Sequence, residues 1–279
     1  MSQKAILITG VSSGIGRACL ANLATQNYKI YATYRSPLTD SKLKTELEAH
    51  AELIKVDITK QEDVSNLLDQ LRESLKGKGL YALINNAGAF VGGGAEYTSI
   101  EEYYQQLEVN FFGNLRMIQA CLPLLYLQNN ARIISISSIL GRVSLPFLSP
   151  YTVSKHALEA FSDALRIELK PHGIRIALIE PGLVNTPLTQ KMPHLDLSVL
   201  NTADKRIAKY SEQLEKYNSM AQKSLTRALQ PEQVAQAVRL ALAAEKPKTR
   251  YVIGMEGKLL MLFKRLLPDS WLDYLLLCR

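Results

Sequence analysis

The chain has 279 residues, of which 47% are hydrophobic and 21% charged, an ordinary composition for a globular protein with one full core. Its net charge of +7 comes without a dense basic run or interleaved aromatic residues, so we do not expect nucleic acid as a partner. No apolar run reaches the roughly 18 to 20 residues of a membrane-spanning helix and no secretory signal is recognisable, so we expect a cytoplasmic protein.

Short apolar runs that are typical of buried strands alternate with longer helical segments along the chain. The predicted strands are residues 4–9, 29–34, 52–56, 82–85, 132–137, 175–180 and 251–253. The predicted helices are residues 14–26, 38–50, 61–75, 99–128, 150–170 and 231–244. This alternation predicts an α/β fold, a doubly wound and mostly parallel seven-stranded sheet of the Rossmann type with helices on both faces.

Residues 1–279 are expected to form one domain, because no linker or internal repeat marks a boundary. Residues 187–226 are polar and helical, and we interpret them as a lid inserted after the sixth strand. An apolar lining from this lid favours a small hydrophobic substrate. Its members are Leu188, Met192, Leu195, Leu197, Val199 and Leu200. An amphipathic extension of about residues 255–279 ends the chain.

A glycine-rich turn follows the first predicted strand and opens a helix. Gly10 permits a tight turn, Gly14 lets the backbone approach a pyrophosphate, and Gly16 allows close helix packing. Ser12 and Ser13 can add hydroxyl donors. The spacing departs from the GxGxxG fingerprint, and such a turn can be purely structural, but the order of strand, turn and helix favours a dinucleotide site.

The end of the second predicted strand indicates which dinucleotide is bound. Sites for NAD usually place an acidic residue there, whereas this chain has Tyr34 followed by Arg35. A guanidinium pairs with a 2′-phosphate that a carboxylate would repel. We therefore expect NADP(H) to be preferred over NAD(H), with an ordinary exposed arginine as the alternative.

Three residues with acid/base chemistry converge at the fifth strand. Tyr151 and Lys155 lie four apart on a predicted helix and so project from one face. That helix follows a strand whose end carries Ser138, where a doubly wound sheet binds its ligand. A phenol needs its pKa lowered by about 3 units to exchange protons near neutral pH, and a lysine ammonium has the right sign to lower it.

Together these motifs resemble the compact, single-domain branch of the short-chain dehydrogenase/reductases, which has a Tyr-x3-Lys active site. The resemblance covers about residues 4–186. Its motifs are Thr9-Gly-x3-Gly-Ile-Gly16, Asp57, Asn85-Asn86-Ala87-Gly88, Asn110, Ser138, Tyr151-x3-Lys155 and Pro181-Gly182.

The resemblance implies four catalytic residues. Tyr151 would be the general acid/base, and Ser138 would orient the substrate oxygen. Lys155 would bind the nicotinamide ribose and lower the tyrosine pKa, and Asn110 would hold a water in a proton relay. As an alternative, Asn110 is simply a polar residue on a helix face.

The resemblance also implies a cofactor site. Its residues are Gly10, Ser12, Ser13, Gly14, Ile15, Gly16, Tyr34, Arg35, Asp57, Ile58, Asn86, Ala87, Gly88, Tyr151, Lys155, Pro181, Gly182, Val184 and Thr186. Asp57 would contact adenine and Thr186 would lie near the nicotinamide carboxamide. The plainer alternatives are a helix N-cap for Asp57 and a simple turn for Asn85-Asn86-Ala87-Gly88.

The implied function is an NADP(H)-dependent oxidoreductase that interconverts a carbonyl and an alcohol on a small hydrophobic substrate, by hydride transfer with a tyrosine acid/base. One alternative is a 3-oxoacyl-thioester reductase, against which the extra segments weigh. The other is a catalytically silent dinucleotide-sensing scaffold, which would not need the complete Asn-Ser-Tyr-Lys set.

No residue pattern predicts a metal site. The histidines have no metal-type spacing, and the three cysteines have no CxxC spacing. These residues are His50, His156, His172, His194, Cys19, Cys121 and Cys278.

Two apolar surfaces predict contacts with partners. The helices 99–128 and 150–170 carry more outward Tyr, Phe and Leu than one solvated face needs, so we expect a homodimer or homotetramer. In the tail, Leu259, Leu262, Phe263 and Leu266 share a helical stripe, and residues 246–279 hold seven Lys/Arg against three Asp/Glu.

Two interpretations of this tail stay open. It either packs on the body and roofs the pocket, or lies on a membrane surface with Lys258, Lys264 and Arg265 toward anionic lipid.

Overall fold

The computed structural model describes residues 3–190 and 205–277, apart from the side chains of residues 205–209 and 277. Seven strands form one parallel sheet in the order β3-β2-β1-β4-β5-β6-β7. They are β1 (Lys4–Ile8), β2 (Tyr28–Tyr34), β3 (Glu52–Lys55), β4 (Ala82–Asn85), β5 (Arg132–Ile136), β6 (Arg175–Pro181) and β7 (Arg250–Ile253). The predicted doubly wound sheet is therefore confirmed, with its switch point between β1 and β4.

Helices cover both faces of the sheet. They are α1 (Gly14–Ala24), α2 (Ser41–Glu48), α3 (Gln61–Leu75), α4 (Ile100–Leu107), α5 (Asn114–Leu125), α6 (Ser149–Glu168), α7 (Lys205–Leu225), α8 (Pro231–Ala243), α9 (Met255–Leu266) and α10 (Asp269–Leu277). One core packs α3, α5 and α6 on the sheet, and the other packs α1, α2 and α8. Because strand side chains alternate between faces, Leu7 enters the first core while Ile6 and Ile8 enter the second.

One predicted helix contains a π-helical turn. Residues 99–128 form α4 and α5 with a π-helical turn, Glu108–Gly113, between them. In this turn the Asn114 side chain donates from Nδ2 to the Asn110 carbonyl oxygen at 2.8 Å. A capping box begins α4, with the Ser99 hydroxyl accepting from the Glu102 amide. The prediction of a helix over residues 99–128 is therefore confirmed, but the sequence did not predict the π-helical turn within it.

The tail packs on a third core that includes Leu140, Leu148, Leu260 and Met261, with Tyr151 against it. It therefore covers the region of the predicted active site, and in the described ranges no helix is long and apolar enough to cross a membrane.

The lid is described only at residues 187–190 and from α7 onward. Its predicted lining residues Met192, Leu195, Leu197, Val199 and Leu200 lie outside the described residues, as do His194 and Cys278.

Candidate active site

A cavity of about 450 Å³ opens at the carboxyl end of the sheet, walled by the segments that follow six of the strands. It brings together 19 residues of the predicted site. They are Gly10, Ser12, Ser13, Gly14, Ile15, Gly16, Arg35, Asp57, Ile58, Asn86, Ala87, Gly88, Ser138, Tyr151, Lys155, Pro181, Gly182, Val184 and Thr186. Leu188 of the lid also lines this cavity. Tyr34 and Asn110 are the two members of the predicted set that lie outside its lining.

The glycine turn is shaped for a close ligand. Gly14 has a φ of 53°, a left-handed conformation that side chains disfavour. A Cβ at Gly16 would come within 2.1 Å of the Gly10 carbonyl oxygen. The first turn of α1 holds no acidic residue, and Ser13 makes no side-chain cap. The positive end of the helix dipole therefore lies in the cavity wall with no acidic side chain in its own first turn, which suits a phosphate.

The turn is locked to the end of β4 by two polar side chains. The Thr9 hydroxyl accepts from the amides of Asn86 at 2.9 Å and Ala87 at 3.0 Å. In return, Asn86 donates from Nδ2 to the carbonyls of Thr9 at 2.9 Å and Gly10 at 3.0 Å. Asn86 thus lines the cavity and also fixes the glycine turn.

At the far end of the cavity, Arg35 is exposed and Asp57 is half-buried. The Asp57 carboxylate accepts from the Thr59 amide at 3.0 Å and hydroxyl at 2.7 Å. Burial opposes its ionisation, but these bonds and the charges of Arg35 and Lys60 outweigh burial and lower its pKa. Asp57 is not the helix N-cap, because α3 begins after Lys60.

Tyr34 is absent from the lining of the cavity, which Thr33 and Arg35 form at this point. Successive side chains of a strand point to opposite faces, which accounts for this difference between neighbours. A role of Tyr34 in cofactor binding stays a prediction.

At the reactive end, Lys155 is almost fully buried and donates from Nζ to the Ile136 carbonyl oxygen at 2.8 Å. Nζ lies 5.7 Å from the centre of the Tyr151 ring. The Phe90 ring packs on Tyr151 with 5.5 Å between centres. Ser138 is buried in the same cavity wall, near enough to the Tyr151 phenol to affect its pKa.

Burial moves the pKa values of Tyr151 and Lys155 apart, because it disfavours the charged form of each group. It raises the pKa of Tyr151 to about 12, with the Ser138 hydroxyl opposing the rise. It lowers the pKa of Lys155 to about 8, with the charge of Glu159 opposing the fall. The chain alone thus lacks the lowered Tyr151 pKa that the family resemblance implied, because burial of the phenolate outweighs its stabilisation by Ser138.

Asn110 is fully buried and shapes the loop after β4 rather than the cavity wall. Its Oδ1 accepts from the Ala89 amide at 2.8 Å, and its Nδ2 donates to the Ala89 carbonyl oxygen and the Ser154 hydroxyl, both at 3.1 Å. The structure therefore shows Asn110 as a residue that positions Ala89, and its role in a proton relay stays a prediction.

Comparison with known proteins now decides the family. The model of the short chain dehydrogenase family matches residues 4–196. The chain is 37% identical over 269 residues to the probable short-chain type dehydrogenase/reductase VdlC of Helicobacter pylori, covering 96% of this chain and 95% of that protein. The chain belongs to the short-chain dehydrogenase/reductase family.

Other members of the family agree in length and shape. The 3-ketodihydrosphingosine reductase of Bacteroides thetaiotaomicron is 31% identical over 277 residues, covering 99% of this chain and 97% of that protein. A crystal structure of a short-chain dehydrogenase from Streptomyces avermitilis has a TM-score of 0.79 and 27% identity, covering 99% of this chain and 95% of that one. This short-chain dehydrogenase/reductase is thus an oxidoreductase that acts on CH–OH donors with a nicotinamide dinucleotide.

Some residues of the dehydrogenase cavity were not predicted from the sequence, among them Ser36, Phe90 and Thr189. Thr189 bonds within the loop after β6, where its hydroxyl accepts from the Thr186 amide at 3.1 Å. A threonine three residues beyond Thr186 was the available signal, since short hydroxyl side chains commonly close such turns.

Proposed function

We propose that this enzyme is an NADP(H)-dependent oxidoreductase that interconverts a carbonyl and an alcohol on a small hydrophobic substrate. The observation that carries the proposal is one cavity with two chemically different ends. Arg35 and the glycine turn stand at one end, and Ser138, Tyr151 and Lys155 converge at the other.

The residues present fit a nicotinamide dinucleotide. Gly14 and Gly16 keep the glycine turn compact at the start of α1, where a pyrophosphate would meet the helix N-terminus. The loop from Pro181 to Thr186 lines the same cavity, with Thr186 beside Gly14. The bound cofactor would supply or accept a hydride. The preference for NADP(H) is supported by Arg35, whose guanidinium suits a 2′-phosphate.

The proton chemistry is assigned to the chain's own side chains. In the reducing direction, Tyr151 donates its proton to the substrate oxygen while Ser138 hydrogen-bonds to the same oxygen as negative charge develops there. The Lys155 ammonium, held at the Ile136 carbonyl, stabilises the phenolate left behind. Asn110 keeps the adjoining Ala89 loop in place.

A hydrophobic substrate is supported by the walls around Tyr151. Phe90, Leu140 and Met261 form part of the apolar surroundings, and Leu188 lines the cavity itself. Such walls exclude water and favour apolar ligands. The Bacteroides relative is named a 3-ketodihydrosphingosine reductase, and this name supports a ketone as the substrate.

The proposal includes a cytoplasmic location. Within the described residues, Cys19 and Cys121 are buried free thiols, which a reducing compartment preserves.

The test is Tyr151→Phe, assayed by NADPH consumption over aliphatic aldehydes, cyclic ketones, steroids, retinoids and oxoacyl thioesters. We expect turnover to fall by about 10³-fold or more, because the proton donor is lost, while NADPH still binds in a fluorescence titration. Near wild-type turnover in this variant would contradict the mechanism. The same assay on the wild-type enzyme tests the two alternatives. A thioester as its preferred substrate would identify a 3-oxoacyl-thioester reductase. NADPH binding by the wild-type enzyme without turnover on any carbonyl would identify a dinucleotide-sensing scaffold.

A further inference from the structure

A cluster of charged side chains joins the segments that carry the reactive residues. Arg250, at the start of β7, lies with Nε 2.9 Å from Glu159 Oε2 and 3.0 Å from Glu180 Oε1. Its Nη2 is 2.7 Å from Asp163 Oδ2. Arg142, in the loop after Ser138, reaches Glu180 Oε2 at 3.6 Å. The cluster thus links α6, the end of β6 and the loop after Ser138 to β7, the edge strand of the sheet.

Glu159 is the member of this cluster that comes nearest to Lys155 along α6. It lies one helical turn further on, so both side chains share a face. Glu159 is only 5% exposed, and its Oε1 accepts no hydrogen bond. A Cβ at Gly141 would come 2.8 Å from Glu159 Cγ and 3.1 Å from the Lys155 carbonyl oxygen. The loop after Ser138 can therefore pack directly against Glu159 and Lys155 only because residue 141 is glycine.

The Glu159 carboxylate shares its arginine with two other carboxylates. Arg250 also meets Asp163 and Glu180, and Asp163 has a second partner in Arg166 at 3.3 Å, whereas Glu159 meets Arg250 through Oε2 alone. The Lys155 ammonium, 6% exposed, lies one helical turn away. A buried ammonium is strongly destabilised unless an opposite charge compensates it.

We propose that Glu159 is a positioning residue, whose carboxylate, fixed by Arg250, keeps the Lys155 ammonium charged and aligned beside Tyr151. The inference rests on the proposed function, in which Lys155 must carry its charge. Glu180 is less suited to this role, because both of its partners are arginines and it lies on another element. Burial and the charge of Glu159 also raise the pKa of Glu180 to about 7, so it carries only part of its charge at neutral pH.

The experiment measures the Lys155 titration directly, from the ¹⁵N shift of Nζ in lysine-labelled enzyme without substrate, assigned with Lys155→Met. In Glu159→Gln, which keeps an acceptor for Arg250, we expect the pKa of Lys155 to fall by about 1 unit. The alkaline limb of the pH profile of kcat/KM for carbonyl reduction should move to lower pH by the same amount, because Lys155 loses its proton at a lower pH.

Two variants serve as matched controls. Asp163→Asn breaks a bond to the same arginine from the same helix, one turn farther from Lys155, and Glu168→Gln removes an exposed charge from the end of α6. Both should leave the Lys155 titration in place. If Glu159→Gln does not fold, Glu159→Asp, which withdraws the charge by one methylene, should give a smaller fall of the same sign.

An unshifted Nζ titration in folded Glu159→Gln overturns the proposal, and so do equal shifts in Glu159→Gln and Asp163→Asn. Absence of turnover by the wild-type enzyme on every carbonyl would instead overturn the proposed function. The Nζ titration, made without substrate, would still decide the role of Glu159.

Discussion

Single residues set the proton chemistry of this site. With the pKa of Tyr151 raised to about 12 by burial, the phenol stays protonated across the neutral range. A protonated phenol is the form that a carbonyl reduction consumes, since the substrate oxygen must gain a proton. The opposite reaction needs a phenolate, which positive charge near Tyr151 stabilises. The Lys155 ammonium, whose Nζ lies 5.7 Å from the centre of the Tyr151 ring, provides such a charge.

At the other end of the cavity, we expect the Arg35 side chain to distinguish NADPH from NADH. We expect Arg35→Ala to weaken NADPH binding by about 10- to 100-fold, because a charge-assisted pair with the 2′-phosphate is worth about 1.5–3 kcal/mol. NADH binding, which involves no 2′-phosphate, should change little. Fluorescence titration with both cofactors makes the comparison, with exposed Arg72→Ala on α3 as the control. Equal losses for NADPH and NADH would show that Arg35 is structural.

Sequence patterns found most residues of the cavity, because they follow the carboxyl ends of strands or, for Tyr151 and Lys155, share one face of the next helix. The patterns do not report the direction of a side chain. Tyr34 and Arg35 are neighbours in sequence, but only Arg35 lines the cavity, because the strand alternates. Asn110 bonds to Ala89, 21 residues away, a pairing that no local pattern encodes.

At the scale of elements, the apolar runs predicted every strand to within about two residues, because buried parallel strands are almost continuously apolar. The same reasoning could not find the π-helical turn at Glu108–Gly113. That turn depends on tertiary packing, since a Cβ at Gly113 would come 2.7 Å from Ile58 Cδ1, and on the bond from Asn114 to Asn110. A helical period over residues 99–128 looks the same with or without such a turn.

The tail helices present two different faces. Leu260 and Met261 face the third core, so this face of α9 roofs the region around Tyr151. Leu262 and Trp271 are 50% and 66% exposed on the outside. In residues 255–277 the three basic and three acidic side chains balance, and Lys264 pairs with Asp269 at 3.0 Å. The two interpretations of the tail are therefore compatible, but contact with lipid would depend on apolar burial more than on charge.

Membrane contact by this outer face stays a prediction. We expect the full chain to float with phospholipid vesicles at low salt, and Leu262→Asp to abolish flotation, because it puts a charge in the apolar face. Leu240→Asp is the matched control, since Leu240 on α8 is equally exposed at 51%. Absence of flotation by the wild-type chain, or equal flotation of Leu262→Asp, would contradict a membrane role.

At the scale of the whole molecule, the sheet topology brings together residues that are far apart in the sequence. The doubly wound order brings Gly10, Arg35, Asp57, Ser138 and Gly182 to one edge of the sheet, and the strand rule alone predicted that convergence. It could not predict the charge cluster around Arg250, because that residue reaches Glu159 across 91 positions of the chain. Long-range polar pairs of this kind depend on how β7 and α6 are packed, which residue periodicity does not report.

Assembly is the remaining property of the whole molecule. Large apolar side chains stay exposed on α4 and α6, which pack against each other, with Ile100 at 62%, Tyr104 at 66% and Ile167 at 65%. Exposed clusters of this kind commonly mark subunit contacts, so we expect a homodimer or homotetramer joined through this face. Ile167→Glu should shift sedimentation toward the monomer at micromolar concentration, because a self-complementary contact places the new charge in the interface twice. Leu240→Glu, an equally drastic change at an exposed leucine on α8, should leave the assembly intact. A monomeric wild-type mass at that concentration would rule the contact out, and an unchanged oligomer in Ile167→Glu would place the contact on another face.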